Sequence, residues 1–197
     1  MNRLAALLLL AALLTACDTD VSAPPNSEFI SFSAVKAERD LRIEYELGMC
    51  AGEPDASNPP PGWPYLYGTT EDDKLVAGDD YAVIIYGRAG NDCLFGGIPR
   101  NTMFGEAGDD VLFGGAGDDY LHGGPGSDVI FGDEGNDYIV VNDGESDIVY
   151  AGKGNDTVYA LDGAIDEIDC GPGADTAYVD EFDIVRNCEK INPPSPW

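Results

Sequence analysis

The residues with the most chemical character in this chain are aspartates at near-constant spacing: Asp92, Asp110, Asp119, Asp128, Asp137, Asp147, Asp156 and Asp175. Around them the sequence runs GEAGDDVLF, GGAGDDYLH and GGPGSDVIF over 105–131, three nonapeptides with no insertion. Each follows G-G-x-G-x-D-x-U-x, where U is a large aliphatic residue. Glycine tolerates the positive φ that other residues resist, so the first six positions read as a turn. The last three read as a short strand with one side chain pointing inward. The aspartate places a carboxylate where the carbonyls of the turn also converge, and hard oxygen ligands crowded together suit calcium.

Other chemistries fit less well. Adjacent carboxylates such as Asp109/Asp110 and Asp118/Asp119 could serve a glycosidase, yet they recur in turn after turn instead of once in a cleft. The single histidine, His122, falls at an outward ninth position and reads as a solvated strand residue. One histidine with paired cysteines does not complete a zinc tetrahedron. The roughly 50 residues ahead of the repeats are too few for a catalytic domain. No enzyme is expected.

Bulk composition points the same way. The 197 residues carry 37 acidic and 10 basic side chains, a formal charge of −27. Binding of nucleic acid rests on Lys and Arg neutralising phosphates, so that partner is excluded. Self-repulsion on this scale destabilises a compact state, unless bound cations neutralise the carboxylates. The hydrophobic share of 44% and the strict period argue against a disordered acidic chain.

A short fixed period dictates the fold. Twelve copies can be read from Gly68 to Tyr178, about seven of them close to consensus. Copies 77–86, 141–150 and 160–169 have ten residues; the first has Ala82 where the aspartate belongs, and copy 96–104 has Asn101. The eighth positions form an expected internal column: Leu75, Ile84, Leu94, Met103, Leu112, Leu121, Ile130, Ile139, Val149, Val158, Ile168 and Ala177.

Outside the repeats, Arg3 and the apolar run Leu4–Leu14 read as a signal peptide, too short for the roughly 20 residues of a bilayer span. Leu14-Thr15-Ala16-Cys17 resembles a bacterial lipobox, which implies lipidation of Cys17 as the first mature residue. Residues 17–27 read as a tether. Leu41, Ile43, Tyr45 and Leu47 alternate with Arg42, Glu44 and Glu46, a period-two strand, and 29–47 as a whole reads as a β-hairpin. A proline-rich connector follows, so 28–66 forms one segment ahead of the roll at 67–178, with a cap and tail at 179–197. Four cysteines remain after Cys17, an even number that in an exported chain suggests two disulfides, with three pairings possible.

The repeats resemble the RTX, or hemolysin-type, calcium-binding nonapeptides, most specifically across 87–159. The resemblance implies an all-β fold, a right-handed parallel β-roll in which two nonapeptides make one coil. It implies Ca2+ held by the sixth-position aspartates and by backbone carbonyls, including those of Gly108, Gly117, Gly126 and Gly135. Turns on one side are then alternate repeats. One row pairs Asp92–Asp110, Asp110–Asp128 and Asp128–Asp147; the other pairs Asp119–Asp137, Asp137–Asp156 and Asp156–Asp175. Asp73 and Asp166 extend the first row, and Ala82 and Asn101 leave the second empty at its start. A DCG…NCE segment ends many such arrays, which implies a Cys170–Cys188 bridge.

Seventh and ninth positions face outward and sort into two unlike faces. Odd repeats show Cys93/Phe95, Val111/Phe113, Val129/Phe131 and Ile148/Tyr150, an apolar ladder; even repeats show Thr102/Phe104, Tyr120/His122, Tyr138/Val140 and Thr157/Tyr159. Such a ladder seldom stays bare. The expectation is that the 29–47 hairpin lies on it, pinned by Cys50–Cys93. The functional reading is a calcium-binding β-roll, lipid-anchored at the bacterial envelope on the extracytoplasmic side, that folds on binding metal. The rival is an adhesion module whose even face holds a glycan or protein.

Overall fold

A computed structural model describes Cys50, Ala56–Ser57 and residues 64–192. The expected signal peptide, Cys17, the expected tether and the expected 29–47 hairpin lie outside the described residues. Within them the fold is all-β, with no helix.

Strands alternate between two parallel sheets. The first contains β1 (Ala56–Ser57), β3 (Lys74–Val76), β5 (Cys93–Phe95), β7 (Val111–Ala116), β9 (Val129–Glu134), β11 (Ile148–Tyr150), β13 (Glu167–Asp169) and β15 (Ile184–Arg186), in that order. The second contains β2 (Tyr65–Tyr67), β4 (Ile84–Ala89), β6 (Thr102–Ala107), β8 (Tyr120–His122), β10 (Tyr138–Val140), β12 (Thr157–Ala160), β14 (Thr176–Val179) and β16 (Lys190–Asn192). The chain thus winds as a solenoid, one strand per sheet in each coil. Strand pairing runs past both ends of the repeat array, because β1 pairs with β3 and β16 with β14.

A three-residue strand points one side chain inward, and in-register pairing stacks those side chains. Leu75, Leu94, Leu112, Ile130, Val149 and Ile168 stack in the first sheet and face Leu66, Ile85, Met103, Leu121, Ile139, Val158 and Ala177 of the second. All are buried. One expectation fails: Ile84 is not a core residue. Ile85 pairs with Met103, and Val83, not Ala82, takes the aspartate's place by donating its N–H to Asn101 Oδ1 at 2.9 Å. The ten-residue copy carries its extra residue in the turn, before the strand, which shifts the inward position by one.

Turns must let coils stack at strand spacing. Gly108 and Gly126 both have φ of +140°, and a Cβ on Gly126 would overlap the Gly108 carbonyl oxygen one coil below. Second positions also need positive φ, and Arg88, Glu106 and Asp133 adopt it without being glycine. The structure pairs Cys50 with Cys93 and Cys170 with Cys188, with Cα–Cα distances of 5.5 and 5.1 Å. Cys170 sits in the core at the C-terminal end of the solenoid.

Gly126→Ala is expected to lower stability by at least about 2 kcal/mol, because backbone strain and overlap coincide there. Gly144 has φ of +95° but open space around it, so Gly144→Ala carries strain alone, about 1 kcal/mol. Thermal melts of the two variants in calcium rank them.

Candidate metal-binding turns

The aspartates stack coil upon coil through one repeated bond. Each sixth-position carboxylate uses Oδ1 to accept the main-chain N–H of the residue one coil earlier. In the first row, Asp73 N–H donates to Asp92, Asp92 to Asp110, Asp110 to Asp128, Asp128 to Asp147 and Asp147 to Asp166, at 2.7–2.9 Å. In the second row, Asn101 N–H donates to Asp119, Asp119 to Asp137, Asp137 to Asp156 and Asp156 to Asp175, at 2.6–2.8 Å. The structure therefore brings together the aspartate pairs that the resemblance implies. Asp166 is a full member of the first row.

That bond buries the side chains and leaves one oxygen over. Asp92, Asp110, Asp119, Asp128, Asp137, Asp147, Asp156, Asp166 and Asp175 are all at most 2% exposed, and Oδ2 of each has no hydrogen-bond donor. A buried acceptor without a partner is costly, and a buried charge far more so. The space each Oδ2 faces is bordered by further acceptors. A methyl built on Gly87 would lie 2.5 Å from Asp92 Oδ2 and 2.6 Å from the Gly105 carbonyl; one on Gly114 would lie 2.8 Å from Asp119 Oδ2 and 2.6 Å from the Gly132 carbonyl. The two nearest atoms to each such point are thus both oxygens. Among the described residues no three carboxylate, imidazole or thiol side chains converge on one point, so main-chain carbonyls have to complete any cation's shell. Hard oxygen donors of this mixed kind fit calcium.

Turn entry differs along the chain. Gly87, Gly105, Gly114, Gly123 and Gly132 open the turns of Asp92, Asp110, Asp119, Asp128 and Asp137. The turns of Asp147, Asp156, Asp166 and Asp175 open instead with Val141, Ala151, Ala160 and Cys170, whose side chains are buried in the core.

Burial pushes these carboxyls far above the ordinary value of 3.8, with neighbouring carboxylates adding to the rise and the backbone N–H opposing it. Asp128 reaches about 9, Asp110 and Asp147 about 8, Asp119, Asp137 and Asp166 about 7, and Asp92 and Asp156 about 6. Burial also raises Asp175.

Both rows end on residues that satisfy themselves. Asp73 Oδ2 accepts from Thr69 N–H and from its hydroxyl, at 2.5 and 2.8 Å. Asn101 donates its amide N–H to Pro99 O at 2.6 Å, so the position of the missing oxygen makes its own bond. At the far end Asp183 accepts from Asp166 and Asp180 N–H, and Glu189 accepts from Asp175 N–H. The sequence reading missed Asp183 and Glu189 as ladder members. Their offsets of 17 and 14 residues break the period, and the only available signal was that carboxylates follow the last repeats at roughly coil spacing.

A family model for the RTX calcium-binding nonapeptide repeat, in four copies, matches residues 67–98, 100–130, 116–145, 131–164 and 141–177, just over half the chain. No curated protein and no solved structure matches it.

Each of these carboxyls binds its proton more tightly folded than unfolded. Without cations the roll is therefore most stable at low pH and loses stability as pH rises from 3.8 through the 6–9 range. Circular dichroism in chelator is expected to show more strand at pH 5 than at pH 8, and calcium at pH 8 should restore it. Asn101→Asp replaces a donor facing Pro99 O by an acceptor, and native mass spectrometry of that variant should count one more calcium.

Proposed function

We propose, from the premise that this chain belongs to the RTX calcium-binding nonapeptide repeat family, that its roll binds calcium between coils and folds as it does so. One observation carries the reading: nine buried aspartate oxygens lie without a donor, and at Asp92, Asp110, Asp119 and Asp137 a carbonyl oxygen of the next coil borders the same space. The ligands are Asp92, Asp110, Asp119, Asp128, Asp137, Asp147, Asp156, Asp166 and Asp175, with carbonyls from the turn glycines. Cations bind the stacked coils and not the extended chain, so binding energy becomes folding energy. Extracellular calcium modules work near 10⁻⁴–10⁻³ M, which leaves the chain unfolded in a low-calcium cytoplasm and rigid outside.

The site of action is the bacterial envelope. A lipobox-like Leu14-Thr15-Ala16-Cys17 supports a lipid anchor, and two disulfides support an oxidising compartment outside the cytoplasm. The role is structural or surface-exposed binding and not catalysis.

A second reading, adhesion, draws on the outer face of the second sheet. There Arg100, Tyr120, His122, Tyr138, Val140, Asn142 and Tyr159 line a shallow groove. Tyr120 stacks on Tyr138 at 5.5 Å, and Tyr138 meets Tyr159 at 5.1 Å. Glycan arrays probed with the purified, calcium-loaded protein test this reading, and Tyr138→Ala should abolish any signal.

Calcium titration followed by circular dichroism and native mass spectrometry tests the main reading. Strand content should rise cooperatively with calcium, and occupancy should saturate at no more than nine ions. The five glycine-opened turns should fill before the four opened by Val141, Ala151, Ala160 and Cys170. An unchanged spectrum between chelator and millimolar calcium would remove the proposal.

A further inference from the structure

The outer face of the first sheet is unlike that of the second. Its seventh-position column is Cys93, Val111, Val129 and Ile148, in register through β5, β7, β9 and β11. Outward side chains of a sheet meet solvent unless something lies over them. Yet Val111 is 0% and Val129 1% exposed, whereas Tyr138, at the same position on the second sheet, is 40% exposed. Beside the column Phe95, Phe113, Phe131 and Tyr150 stack at 4.7, 5.0 and 5.3 Å and are only half-buried. Together with Cys50 these residues form an apolar cluster separate from the core between the sheets. Among the described residues, Cys50 is the one member that does not belong to the roll, and its disulfide fixes it at Cys93, the first rung.

We propose that the Leu41–Leu47 stretch of the same chain covers this face, apolar side down, and that the Cys50–Cys93 bond sets its place. The stretch ends three residues before Cys50. It carries Leu41, Ile43, Tyr45 and Leu47 on one side and Arg42, Glu44 and Glu46 on the other. Seven extended residues span about 23 Å, and the three strand spacings from Cys93 to Ile148 span about 14 Å, so the stretch is long enough to reach every rung. Its charged side then faces water. Its apolar side meets a surface without carboxylates, in a chain whose charge of −27 makes such a surface scarce.

The consequence is a division of labour. One outer face is closed by the chain itself, by burial that needs no cation. A partner therefore meets the outer face of the second sheet and not the Cys93–Ile148 rungs of the first.

Nuclear Overhauser spectroscopy on the full, oxidised chain in millimolar calcium tests this. Contacts from the Ile43 and Leu47 methyls to the Phe113 and Phe131 ring protons are expected, and their absence in the folded protein overturns the proposal. Paired variants give a second readout. Ile43→Asp with Tyr45→Asp should raise binding of an apolar fluorescent dye several-fold, and Glu44→Ala with Glu46→Ala should leave it unchanged; equal dye binding by the two pairs also overturns it. Light scattering distinguishes the other occupant. A wild-type dimer that Val129→Asp dissociates, and that the Ile43/Tyr45 pair does not, assigns the face to a second copy. Calcium-induced strand formation is recorded in parallel, so a failed metal reading is told apart from an uncovered face.

Discussion

The fold depends on one hydrogen bond, from a main-chain N–H to the carboxylate one coil further on. It makes the stack continuous along both turn rows, since each aspartate receives the amide of its predecessor and donates its own amide to its successor. It also forces the carboxylate inside. A side chain that must reach a buried amide cannot keep its second oxygen in water, and in nine of these turns no donor meets it. The stability of the stack and its need for a cation therefore have the same cause. Protons can serve in place of metal, because a neutral carboxyl removes the charge that burial penalises.

The limits of the ladder follow from the same accounting. Where the stack begins and ends, donors from the protein replace the cation: Thr69 for Asp73, the Asn101 amide for a missing oxygen, and Asp180 N–H for Asp183. A second, exposed ladder runs outside the first. Asn91 N–H donates to Asp72, Asp109 to Asn91 and Ser127 to Asp109, with a matching series through Asp118, Asn136 and Asn155. It shows why many fifth positions, Asp72, Asn91, Asp109, Asp118, Asn136 and Asn155, are Asp or Asn without assigning them metal: each brackets two coils through exposed hydrogen bonds.

Much of this was legible in the residues because the period is short and strict. The eighth-position core follows from nine residues repeated with a single inward side chain; the two sheets and the pairing of alternate aspartates are what the resemblance to the RTX repeats implies. Legibility failed where the period did. In 77–86 nothing local shows which of ten residues is extra, so the inward position was placed at Ile84 and the structure puts it at Ile85. Asp183 and Glu189 lie beyond the last full repeat, at offsets that no nine-residue frame reaches. The burial of Val111 and Val129, by contrast, was legible, because outward apolar side chains in a continuous ladder seldom stay bare.

The ten-residue turns show how the chain lengthens a coil without losing the stack. Asp143 and Asp162 in two of these turns, and Asp180 past the last repeat, each accept the amide two residues on and the amide of the coil before: Glu145 and Gly126, Ala164 and Gly144, Phe182 and Gly163. A carboxylate that holds its own turn and ties it to the previous coil does the work that glycine geometry does elsewhere. The cost is a further negative charge beside the buried row, and Asp143 and Asp162 both help to raise Asp147. The coils of Asp147 and Asp166 thus carry an extra turn carboxylate that ties them to the previous coil and sits beside the buried row. The Cys170–Cys188 bond closes the solenoid at its C-terminal end, where covalent closure opposes a repulsion that hydrogen bonds alone would have to withstand.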